Sequence, residues 1–263
     1  MRNYYYLVAG LLDIQFEDSK VSVAVDQFRT EVFDALSGAD RKLMDLILLE
    51  NDCRTFLGSE RMEELSAVVK AQEPCPEGVP QFMYDFVQEY QDDSWQQYAA
   101  FAQDRLWAMF YQYALGCGNE FVSNWYRFNL DLKNIQTAIT ARKYELDVRN
   151  LLIGDGEVAQ ALRTSGARDW GLSQELPFWD DIMRLQEAAD LNDRERKTDL
   201  LRWQWLEEHS FFNYFTIERL FAYMVQLGIV ERWSSLDREE GQKLFRRLIG
   251  ELKEQTEVPQ EFR

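Results

Sequence analysis

The feature that most restricts this chain is a pair of apolar stripes of equal length joined by a short glycine-containing turn. Trp95, Ala99, Ala102, Leu106, Met109 and Tyr113 recur at alternating spacings of four and three, and after Gly116-Cys117-Gly118 the same spacing resumes as Phe121, Trp125, Phe128, Leu132, Ile135 and Ile139. That period places each set on one face of an α-helix. Two helices linked by so short a turn fold back antiparallel, each about 30–35 Å long at 1.5 Å per residue. The expected fold class is therefore all-α.

Punctuation along the rest of the chain agrees. Asp40, Ser59, Ser94, Asn119 and Ser235 stand where helix N-caps belong, Gly116 where a helix ends, and Pro80 and Pro177 where first turns begin. Only residues 4–9 and 21–25 resemble strands, and neither has a hairpin partner, so both read as helix starts or short extended segments. Residues 211–230 carry Phe211, Phe212, Tyr214, Phe215, Ile217, Leu220, Phe221, Tyr223, Met224 and Leu227, apolar nearly all round, which predicts a deeply buried helix. The length, 263 residues, suits one or two domains. The chain reads as a single helical domain over 1–263; the Pro-rich residues 73–80 are the best candidate for an internal boundary, or else a surface loop.

Charge narrows the partners. With 29 Lys and Arg against 46 Asp and Glu, the net charge of −17 repels nucleic-acid phosphates and anionic lipid surfaces. Residues 71–104 contain seven acids and no base, so Glu77, Asp85, Glu89, Asp92 and Asp93 could face a basic protein, or could simply form a solvated face. The apolar stretch 4–12 is too short and lacks the cleavage pattern of a signal peptide. The run 220–230 is about half of what spans a bilayer, which predicts no direct membrane insertion. Cys53, Cys75 and Cys117 are odd in number and widely spaced, without the pairing of a disulfide framework or zinc site, and suit a reducing cytoplasm.

Catalytic patterns are weak. Gly154-Asp155-Gly156-Glu157-Val158-Ala159 matches a dinucleotide-binding pattern, but that pattern works only between a strand and a helix of a parallel sheet, and nothing here alternates strand with helix; it reads as a helix-breaking turn. No Walker A or G-x-S-x-G pattern occurs. His209 is the only histidine, which removes di-iron bundle sites and most histidine-rich zinc sites. Between Glu208 and Ser210 it cannot form a triad, because adjacent residues on a helix point apart. Its expected role is a side chain–backbone hydrogen bond at a helix junction. Acidic doublets such as Asp92-Asp93, Asp180-Asp181, Glu207-Glu208 and Glu239-Glu240 are expected by chance among 46 acids. No catalytic residue, cofactor or metal ligand is assigned. The many aromatics sit at core spacing and lack the cationic groove that base stacking requires.

One segment points further. Asn129-Leu130-Asp131-Leu132-Lys133-Asn134-Ile135, followed by Ala141-Arg142-Lys143, sets Asp131 and Asn134 beside the apolar stripe, where they could bond a neighbouring helix and fix its register. This acid, base, Asn-Ile and later Arg-Lys pattern resembles the characteristic helix of the C/d family of V-type and A-type rotary ATPase subunits. The opening Asn3-Tyr4-Tyr5-Tyr6-Leu7-Val8-Ala9-Gly10-Leu11 resembles the start of a divergent bacterial branch of V-type ATPase-associated proteins. Asp52-Cys53-Arg54-Thr55-Phe56 and Asp147-Val148-Arg149-Asn150-Leu151 are weaker echoes of the same run. The close similarity covers about 25 residues around Asp131, Lys133, Asn134, Ile135, Arg142 and Lys143, with looser likeness in helix order elsewhere.

The resemblance implies a multi-helix bundle of hairpin repeats forming a funnel. It implies a non-catalytic rotor cap between the membrane ring and the central axle, on the cytoplasmic side and peripheral to the membrane. The acidic stretch would then face the axle or the ring's cytoplasmic loops. A soluble assembly or regulatory factor of the same complex is the alternative, and an enzyme using a carboxylate-bound metal ranks below both.

Overall fold

A computed structural model describes residues 3–18, 23–92, 101–188 and 190–255, the last of these as backbone alone beyond Leu236. The described residues contain eleven α-helices, one 3-10 turn and no strand, so the all-α expectation holds. Where the sequence reads as a single domain, the chain divides into two compact units, Met1–Leu36 with Asn213–Arg263, and Ser37–Phe212.

The first unit holds α1 (Tyr5–Ala9), α2 (Val25–Phe33) and α11 (Ile217–Gln255). In α11, Ile217, Leu220, Phe221, Ala222, Tyr223, Met224, Leu227 and Val230 are buried, covering most of the helix circumference. The Tyr223 ring lies 5.2 Å from that of Phe28 on α2. The Tyr4 amide donates to the Phe215 carbonyl at 2.6 Å, and the Tyr5 ring sits 4.8 Å from that of Phe215.

The buried helix expected from residue 211 starts six positions later. Phe211, Phe212 and Tyr214 are exposed in a turn. The Thr216 amide and hydroxyl both bond the Asn213 carbonyl, at 3.4 and 2.9 Å, an alternative to helical pairing that delays the start. Ser235 is no N-cap: it lies inside α11, because nothing before it interrupts the helix. Of the strand-like residues 4–9 and 21–25, the first become α1 and Val25 opens α2, while 21 and 22 fall outside the described residues.

The second unit comprises α3 (Gly38–Thr55), α4 (Glu60–Lys70), α5 (Gln81–Gln91), α6 (Ala102–Leu115), α7 (Glu120–Lys143), a 3-10 turn (Val148–Asn150), α8 (Glu157–Thr164), α9 (Trp179–Leu185) and α10 (Leu191–Ser210). Capping fixes several starts: Ser59 accepts from the Met62 amide, Asn119 from Val122 and Asp190 from Asp193. For α3 the cap is Ser37 and not Asp40. The Ser37 hydroxyl accepts from the Asp40 amide and donates to the Asp40 carboxylate, a reciprocal pairing that leaves Asp40 in the first turn, where its charge suits the helix dipole. Pro80 caps α5, while Pro177 lies two residues ahead of α9. Ser94 lies outside the described residues.

The hairpin forms as expected from α6 and α7. Phe110 meets Tyr126 edge-on at 5.3 Å and the Lys133 ammonium lies 4.8 Å over the Trp107 ring, so contacts move back along α6 as they move forward along α7. The helices are antiparallel. Gly118 turns the chain with φ +79°, a conformation that costs glycine little, and Asn119 then opens α7. On α7 the stripe is buried from Phe121 to Ile135.

On α6 the buried face is Ala102, Leu106, Trp107, Phe110, Tyr111 and Ala114, while Tyr113 is exposed and Met109 only half-buried. The helix is rotated from the expected stripe because Trp107, Phe110 and Tyr111 offer more aromatic area. Trp95 and Ala99 lie outside the described residues. Residues 73–80 form the loop between α4 and α5, which pack on each other within this unit, and the Tyr84 hydroxyl pins that loop through the Glu73 carbonyl at 2.7 Å.

Candidate functional site

Helix α7 spans 24 residues and packs against α6, α8 and α10. The residues of the resemblance separate along it by what they touch. Ile135 is core, with no exposed surface. Asn134 is buried and pairs reciprocally with one backbone residue: its Nδ2 donates to the Ile153 carbonyl and its Oδ1 accepts from the Ile153 amide, both at 2.9 Å. The partner is therefore the loop before α8, not the neighbouring helix expected from sequence. Arg163 on α8 holds the same loop as well, donating to the carbonyls of Leu152 and Arg149.

Arg142 is a second clamp. Its guanidinium lies 3.5 Å over the Trp170 ring and donates to the carbonyls of Arg168 and Ala167 at 2.5 and 3.1 Å. Trp170 has φ +53°, so this planar group braces a loop whose backbone is in the left-handed region. Lys143 is exposed, with its ammonium 5.6 Å over Tyr144.

Asp131 and Lys133 are different. Asp131 is half-buried yet makes no hydrogen bond or ion pair with any described residue. Burial pushes its carboxyl up to about 6; Arg127 one turn earlier opposes this and Glu157 adds to it. Two residues on, Lys133 has its pKa lowered by burial against a partial compensation from Asp104. Its only short-range partner among the described residues is the face of Trp107. An unsatisfied, half-buried charge reduces stability, and such groups concentrate at functional sites.

A buried polar network beside them was not read from sequence. Asn129 donates to the Trp125 carbonyl and accepts from Arg202 Nε at 2.9 Å, and Arg202 reaches Asp199, itself 1 % exposed, at 3.1 Å. Burial lowers the Arg202 pKa. The available signal was a lone arginine inside Leu200-Leu201-Arg202-Trp203-Gln204-Trp205-Leu206.

Of the acidic stretch, Glu77 is exposed in the 73–80 loop, Asp85 accepts from Gln81 at 2.8 Å, and Asp92 is the exposed cap at the end of α5. Glu89 takes two bonds from Arg105, at 2.9 and 2.7 Å, so its charge is already met. Asp93 falls outside the described residues.

The glycine pattern at 154–159 is a turn: Gly154 has φ +72° and Gly156 precedes α8, with no strand ahead of it. His209 closes α10, its Nδ1 2.8 Å from the Trp205 carbonyl and its ring stacked at 4.0 Å on Trp205. Of the two echoes, 52–56 form the last turn of α3 and its cap, α-helical like Asp131 to Ile135 in the middle of α7, while 147–151 form the 3-10 turn.

No three His, Cys, Asp or Glu side chains converge to hold a metal among the described residues, and no helix among them is long and apolar enough to cross a membrane. No curated protein and no solved structure matches the chain. Residues 1–256 match a family described as "Protein of unknown function (DUF2764)". By that match, which covers nearly its whole length, the chain is a member of the DUF2764 family.

Proposed function

We propose that this protein is a non-catalytic central-stalk component of a V-type or A-type rotary ATPase, capping the membrane rotor ring and coupling it to the central axle during ion transport. The observation that carries the reading is helix α7. Its Asp131 to Lys143 pattern resembles the characteristic helix of the C/d family, and it keeps Asp131 ionisable and unpaired where a packed neutral residue would be more stable. The all-helical fold is compatible with a hairpin bundle that encloses an axle in a funnel. Exposed Glu77 would offer negative charge to a basic axle or ring loop. In this role the protein sits on the cytoplasmic face, held peripherally through the complex.

Co-purification tests it. A tagged full-length chain drawn from native membranes should bring down the ring and axle proteins at one copy per complex. Recovery of neither overturns the reading, and absence from an intact, active ATPase replaces it with an assembly or regulatory factor of that complex.

A further inference from the structure

Helices α7 and α10 enclose an open groove of about 300 Å³ within the second unit. One wall is Lys133, Gln136, Thr137, Thr140 and Ala141, spaced as a single face of α7. The opposing wall is Leu191, Arg194 and Glu195 from the first turns of α10. Leu146 and Leu151 line it as well, so apolar surface predominates, and the volume lies at the small end of ligand-binding cavities.

Its cations set it apart. In this acid-rich unit Arg54, Arg61, Arg105, Arg163, Arg184, Lys197 and Arg202 each pair with a carboxylate. Lys42, Lys70, Arg127 and Lys143 lack a carboxylate partner among the described residues but are exposed, whereas Lys133 and Arg194 are half-buried and neither side chain makes a hydrogen bond or ion pair with a described residue; Arg194 Nε is buried without an acceptor. Glu195 lines the same groove and bonds neither cation. The Thr137 hydroxyl and the Gln186 side-chain amide are likewise unengaged among the described residues, whereas Thr140 is committed to the Gln136 carbonyl and the Gln136 amide to Thr198. The positive end of the α10 dipole adds to the same potential. Two unpaired cations and two free donors above an apolar lining match one chemistry: an anionic head on a short apolar body.

We propose that the groove between α7 and α10 binds a small organic anion, a carboxylate or phosphate monoester whose head meets Lys133 and Arg194 and whose apolar part lies on Ala141, Leu146, Leu151 and Leu191. This assignment stands apart from the ATPase reading and survives its failure. Calorimetric titration of the full chain with hexanoate and with hexyl phosphate separates the two head groups, and hexanol, hexylammonium and inorganic phosphate serve as controls. Saturable one-to-one binding of at least one alkyl anion, at least tenfold tighter than each control, is expected. Arg194→Gln should weaken it tenfold or more, and Glu195→Gln, an exposed change that removes a repelling charge, should tighten it severalfold. No saturable binding of either anion overturns the proposal. So does binding of hexanol or inorganic phosphate as tight as that of the alkyl anions. If Arg194→Gln does not fold, as judged by circular dichroism and thermal melting, Glu195→Gln decides: unchanged or weaker binding overturns the assignment.

Discussion

Replacing Asn134 by alanine removes both bonds to Ile153 without touching the apolar stripe beside it. Each bond contributes about 1 kcal/mol net, and each backbone group left buried without a partner costs about 1 kcal/mol or more in desolvation. Water has little access, since Asn134 is 1 % and Ile153 3 % exposed. Partial relaxation of the loop lowers the sum, and a loss of about 3 kcal/mol is expected. For a unit of this size that is a fall in Tm of roughly 6–12 °C. Asn134→Asp should cost at least as much, because a carboxylate can accept from the Ile153 amide but repels its carbonyl and buries a charge. Urea melts followed by tryptophan fluorescence give the free energy. Hydrogen exchange over residues 149–156 reports whether the loop alone is released or the whole unit weakens. A loss under about 1 kcal/mol with unchanged protection of the Ile153 amide refutes the reasoning, since the clamp would then be dispensable.

Asp131→Asn should stabilise the protein by about 1–3 kcal/mol at pH 7–8, because the folded carboxyl titrates at about 6 and the unfolded one near 4. The unfolded chain ionises first as pH rises, so the native Asp131 penalty grows between about pH 4 and 6; the gain must shrink toward zero at about pH 3 in pH-dependent melts. Arg142→Ala should lose about 2 kcal/mol through the Trp170 stack and two carbonyl bonds, and Arg142→Lys should recover less than half in denaturant titration, since a point charge cannot stack and fork together. Cys53, fully buried with its thiol pushed up to about 12 chiefly by burial, should resist iodoacetamide at about pH 8 in the native protein, while the partly exposed Cys117 reacts; peptide mapping by mass spectrometry distinguishes them.

Periodicity exposed the α6–α7 hairpin because one apolar face repeats along both helices. It misjudged the rotation of α6, where nearly the whole circumference is apolar and a single stripe is ambiguous. The start of α11 was hidden for a different reason: Phe211 to Phe215 carry a helical pattern of side chains, and only the local turn at Asn213 and Thr216 prevents it. At the site, Asn134 stood out as a polar group beside a packing seam, but its partner at Ile153 is 19 residues away in a loop that no local signal locates. Arg194 was still less visible. What distinguishes it is partial burial without a partner, and both are properties of the folded chain.

The first unit is assembled from two stretches of chain separated by residues 37–212, an interval of 176 residues obtained from 212 − 37 + 1. On a ribosome adding about 5–20 residues per second, that interval takes roughly 10–35 s to emerge. During that time α1 and α2 have neither α11 nor the Phe215 carbonyl that receives the Tyr4 amide. The inserted unit can complete its own core in the same period, because all its helices are contiguous in sequence. The order of synthesis thus imposes an order of folding, in which an apolar amino-terminal segment with Tyr4, Val8, Phe28, Val32 and Phe33 must be kept from self-association until its complement arrives. Nascent-chain crosslinking or chaperone occupancy should therefore be concentrated on that segment until residues 217–230 have left the exit tunnel.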